Sequence, residues 1–150
     1  IGENIVLNRI ALVAAADGHK LADYVHMGGK IGVVVEGSAS VDDGVLHDVA
    51  MHIAATDPRY VSRDQVTEEI LAAEREIALK QAIDQGKPEH IAQKIVDGKM
   101  EKFYEQEVLM EQPFAKDPSQ SVRQVVAASG GDDATIARFV RFGLGETAAE

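Results

Sequence analysis

Apolar and polar positions alternate from Ile5 to Val13, with Ile5, Leu7, Arg9 and Ala11 on one side and Val6, Ile10 and Leu12 mostly on the other. Alternation with β-branched residues predicts a strand there. Asp17-Gly18 in "AADGHK" breaks it as a turn dipeptide. Leu21–His26 reads as a second short strand and Lys30–Glu36, "KIGVVVE", as a third. After the loop "GSASVDDG" the spacing changes. Val45, Val49 and Ile53 with Leu46, Ala50 and Ala54 recur at helical intervals, ending near "TDP".

A charged stretch rich in helix formers follows, with no alternation in it. Ser62 is its expected cap, and Gly86 with Pro88 punctuates it. Two helices joined by a tight turn are expected, Arg63–Gln85 and Pro88–Glu107. Val66, Ile70, Ala73 and Ile77 form one apolar row, and Ile91, Ile95 and Phe103 are expected to supply the facing seam. "EQPFAKDPSQS", with two prolines, reads as a loop and Ser121–Ala128 as a short helix. In "ATIARFVRFGLGE", Ile136, Arg138, Val140 and Phe142 alternate with Ala137, Phe139 and Arg141, predicting a last strand that returns to pair with the first three. The fold class is therefore α+β: a small, mostly antiparallel sheet of three N-terminal strands plus a C-terminal strand, packed with helices, with an inserted antiparallel helical hairpin. The expected division is a core subdomain, 1–61 with 108–150, and an inserted coiled-coil-like arm, 62–107.

With 45% hydrophobic but only 5% aromatic residues among 150, the core volume must come from Ile, Val, Leu and Ala. No apolar run approaches the roughly 20 residues of a membrane span. A formal charge of −10 argues against direct binding of nucleic acid, which needs clustered Lys and Arg. Without cysteine there is no disulfide or thiol chemistry, which fits a cytoplasmic protein. The chain opens on Ile1 rather than Met, and it is expected to be a piece of a longer or processed chain.

"YVHMGGKIGVVVEG" poses the question of chemistry. A phosphate loop needs a strand, Gly, four residues, Gly-Lys and then Ser or Thr opening a helix. Here Lys30 leads into Ile31, Gly32 and valines that favour strand, so no helix N-terminus is available for phosphate. A hairpin in which Gly28 and Gly29 supply positive φ accounts for the stretch. The histidines are His19, His26, His47, His52 and His90. His47 and His52, five apart, fall about 140° apart on a helix, and "HDVAMH" lacks the metalloprotease spacing. No metal or cofactor is expected. There is no Gly-x-Ser-x-Gly, and the carboxylates cluster on the helical hairpin as a solvated face. His26 differs, because Tyr24 lies on its side of a strand beside the turn, an amphipathic pair suited to a partner contact.

"IGENIVLNRIALV", "YVHMGGKIGVVVEG", "VLHDVAMHIAATDPRYVSRDQV", "QGKPEHIAQKIVDGKMEKF", "LMEQPFAKDPSQSV" and "FVRFGLGE", in this order, resemble the bacterial translation elongation factor Ts family across nearly the whole chain. The resemblance implies a guanine-nucleotide exchange factor rather than a catalyst of covalent chemistry. Such a factor binds elongation factor Tu, GDP-bound or nucleotide-free, and promotes GDP release. The family's Thr-Asp-Phe-Val motif, which works at the partner's nucleotide domain, is absent from this sequence. What matches implies the half that grips the third domain of elongation factor Tu, placing Tyr24, Val25, His26, Met27 and Gly28 at the partner surface. The arm resembles the family's dimerisation region, with Val66, Ile70, Ala73, Ile77, Ile91, Ile95 and Phe103 as its apolar residues and a homodimer as its product. Two other readings stand beside this one: a structural oligomerisation domain acting through the arm, and a small hydrolase or metal protein using the histidines.

Overall fold

A computed structural model describes residues 5–146. The ends of the expected core subdomain, 1–4 and 147–150, lie outside that description. The elements are β1 (His19–His26), β2 (Ile31–Ser38), α1 (Asp43–Thr56), α2 (Glu68–Asp84), α3 (Glu89–Glu107), β3 (Pro113–Phe114), β4 (Asp117–Ser121), α4 (Val122–Gly130) and β5 (Ile136–Gly143). The fold is α+β. Two compact units divide it, one running to Ala55 and resuming at Val126, the other spanning Thr56–Val125.

The first unit holds an antiparallel three-stranded sheet in the order β1-β2-β5. Val33, Val35, Gly37 and Ile136 are buried, as are Leu46, Val49, Ala50 and Ile53 of α1. Gly37 makes this packing close, since a Cβ there would stand 2.8 Å from Leu46 Cδ1. A strand glycine often marks such an approach. Ser38 and Thr135 exchange hydrogen bonds at the far end of the β2–β5 pair.

The expected strand over Ile5–Val13 does not form. That stretch is irregular, and Ile5, Val6, Leu7, Ile10 and Leu12 are all exposed. Alternation makes a segment able to extend, but a strand needs a ladder of backbone bonds, and the chain here is fastened by side chains acting just beyond the stretch, at residues 14–16. Arg138 Nη2 donates to the Ala14 carbonyl at 2.8 Å, and the Ala16 amide donates to Glu36 Oε1 at 2.8 Å. The last strand therefore returns to β2 alone, and the sheet has three strands rather than four.

In the second unit α2 and α3 form an antiparallel hairpin. Thr67, not Ser62, caps α2, its side chain accepting from the Ile70 amide. Gly86, at φ 71°, ends α2: its amide bonds the Ile83 carbonyl and that of Lys87 the Ala82 carbonyl, the two bonds of a Schellman cap. The seam lies one position off the expected row. Leu71, Ala78 and Ala82 are buried on α2, and Ala92, Val96 and Met100 on α3. Val66 is buried and Ile70 and Phe103 pack beside the cluster, but Ala73, Ile77 and Ile91 face solvent. At the root, the Arg59 and Tyr60 amides bond the Glu107 carbonyl, and Tyr60 bridges Val108 in parallel. The stretch read as a loop contains the small β3–β4 pair.

Candidate partner-binding site

β1, its turn and the start of β2 carry the candidate residues. Met27, Gly28 and Gly29 all have positive φ (50°, 65° and 97°), and the Gly29 and Lys30 amides both bond the His26 carbonyl, at 3.2 and 3.1 Å. Positive φ at both central residues is what a mirror-image hairpin turn requires. Lys30 runs directly into β2, so the Gly-Gly-Lys is a turn between strands and no helix amides converge on it.

Around this turn Val25 and Met27 are 62% and 64% exposed, large apolar side chains at the tip of a hairpin. Tyr24 and His26 are half-buried on the opposite side of β1, with the Tyr24 hydroxyl 2.8 Å from His26 Nδ1. Of the five residues singled out by sequence, all lie on this one hairpin. His47 of α1 was not among them, and it reaches the same place: its Nδ1 is 3.1 Å from the Asp23 carbonyl and its ring stands edge-on to Tyr24. Nothing in the sequence around His47 announces this, because it lies 23 positions beyond Tyr24, past the hairpin turn and the whole of β2. His52 is buried while His47 is exposed, so the two do not meet as a pair. Among the described residues no group of three or more His, Cys, Asp or Glu could hold a metal ion.

The second unit has a charged cluster at the arm root. Arg63 donates to Glu101 at 2.8 Å and to Glu111 at 3.1 Å, and its guanidinium stacks 4.2 Å above the Tyr104 ring. Burial pushes the Glu111 carboxyl up, but Arg63 and Arg123 outweigh it and leave the group below the ordinary glutamate range. A carboxylate shared by two arginines ties the 3-10 turn at Arg63 to the segment after α3.

An exposed apolar tip, an aromatic–imidazole pair and an arm fixed at its root suit contact with another protein. A family model described as Elongation factor TS matches residues 1–146. The chain belongs to the elongation factor Ts family. Membership implies a role in nucleotide exchange on elongation factor Tu, in the elongation stage of protein synthesis. Elongation factor Ts proteins act as exchange factors and not by covalent chemistry. No described helix is long and apolar enough to cross a membrane.

Proposed function

We propose that this chain is the anchoring half of an exchange factor: a cytoplasmic binding module that grips the third domain of elongation factor Tu through Tyr24, Val25, His26, Met27 and Gly28. The exposed, backbone-constrained hairpin tip carries the reading. Three consecutive positive φ values and two hydrogen bonds to one carbonyl hold the tip in shape before any partner arrives. Preorganisation of that kind reduces the ordering cost of binding. Isothermal titration of the chain against GDP-bound and nucleotide-free elongation factor Tu tests it. His26→Ala is expected to weaken binding by about 1 kcal/mol, as loss of an interface side chain does. Unchanged affinity in both nucleotide states would remove the hairpin from the interface.

A second reading concerns the arm, 62–107. Ile77, Ile83 and Ile91 are 50%, 57% and 40% exposed, more apolar surface than a solvated hairpin needs. They support self-association through the arm, with Ala73 and Ile77 of one copy facing another. Sedimentation of the free chain over a concentration series checks this, and a monomer throughout would remove the homodimer from the account.

A further inference from the structure

His47 stands at the edge of the sheet, bound to the backbone of β1 and against the ring of Tyr24. β1 is an edge strand, and the Asp23 carbonyl receives His47 Nδ1 at 3.1 Å. A carbonyl only accepts, so the proton in that bond is on His47 Nδ1. Fixed there, the imidazole closes one side of the Tyr24 ring, edge-on with centroids 5.7 Å apart and planes at 83°. Edge-to-face is a preferred aromatic arrangement, and it limits the tyrosine's rotation. Tyr24 in turn holds its hydroxyl 2.8 Å from His26 Nδ1, with the two rings tilted by 41°. His26 Nε2 is engaged by no described residue.

We propose that His47 is a positioning residue for the hairpin: by holding Tyr24 it makes the tyrosine hydroxyl donate to His26 Nδ1, so that neutral His26 offers its Nε2–H to a carbonyl or carboxylate oxygen on the partner. The two nitrogens of a neutral imidazole are one donor and one acceptor, and the bond made by one fixes the role of the other. With Tyr24 donating to Nδ1, the proton resides on Nε2, and the hairpin presents a donor. Were Tyr24 free to turn away, His26 would interconvert between tautomers and present a donor only part of the time. The inference rests on the reading of Tyr24–Gly28 as the surface for elongation factor Tu.

Two measurements test it separately. The first is the nitrogen-15 spectrum of the imidazoles in the free chain at mildly alkaline pH. Wild type is expected to show His26 with a bare Nδ1 and a protonated Nε2, and Tyr24→Phe and His47→Ala are each expected to show averaged nitrogen shifts. A protonated Nδ1 in wild type, or wild-type shifts in His47→Ala, overturns the proposal. The second is a double-mutant cycle on affinity for elongation factor Tu. His47→Ala should weaken binding about fivefold in the wild-type background and hardly at all in the His26→Ala background, the coupling expected of residues acting through one another. Additive losses would mean that His47 touches the partner itself, which also overturns it. Should the chain fail to bind elongation factor Tu, the functional reading falls, and the nitrogen shifts still decide the positioning role.

Discussion

Glu36 shows how much one side chain can organise. It is buried, and its carboxylate meets the Ala16 amide, the Arg138 guanidinium at 2.6 Å and His19 Nδ1 at 3.2 Å. The Ala16 amide first, then Arg138, hold its carboxyl below the usual glutamate range against the upward push of burial. Arg138 also binds the Ala14 carbonyl, so the pair fastens residues 14–16 to β2 and β5. A depressed folded-state value means stability that is fully present above the unfolded value, about 4.3, and is lost as pH falls through the folded one. The difference in denaturant midpoint between wild type and Glu36→Gln should therefore be constant near neutrality and shrink below about pH 4.3. A difference that does not change on acidification would show that the carboxylate's charge contributes nothing there. Gly37 is a second such position. Gly37→Ala sets a methyl 2.8 Å from the fully buried Leu46, and overpacking of this kind is expected to cost about 1 kcal/mol or more in urea unfolding.

Among the elements, the arm separates periodicity from packing most clearly. The row Ile70, Ala73 and Ile77 and the row Leu71, Ala78 and Ala82 both have helical spacing, and alanine reads as core or surface with equal ease. The burial of Leu71 and Val96 decides between them. Leu71→Ala should cost about 2–4 kcal/mol, whereas Ile77→Ala should stay within about 0.5 kcal/mol in a monomeric sample. Equal losses would restore the seam expected from the sequence. Gly86→Ala, forced to keep φ at 71°, should cost about 1 kcal/mol by the same assay. Turns and helices were legible because their signals are local: Asp17-Gly18, the Gly28-Gly29 pair, Gly86 with Pro88. That the first alternating stretch would find no strand partner was not. Ile5–Val13 alternates as well as β5 does, but the chain just beyond it is fastened at Ala14 and Ala16 by the side chains of Arg138 and Glu36, 20 or more positions away. β3 and β4 escaped notice because one is two residues long and each contains a proline. In the candidate site the hairpin residues were legible from "YVHMGG", whereas His47 enters only through the fold.

For the whole molecule, binding and exchange are separable. Only contacts that favour the nucleotide-free state over the GDP state lower affinity for GDP, however tightly a factor holds its partner. The hairpin tip is proposed to hold the third domain of elongation factor Tu, and the sequence carries no Thr-Asp-Phe-Val motif to act at the nucleotide domain. Stopped-flow release of fluorescent GDP from elongation factor Tu, with this chain present above its binding constant, tests that division most directly. The expected release rate is close to that of elongation factor Tu alone while titration shows the complex has formed. Release accelerated by orders of magnitude, as full exchange activity requires, would contradict it.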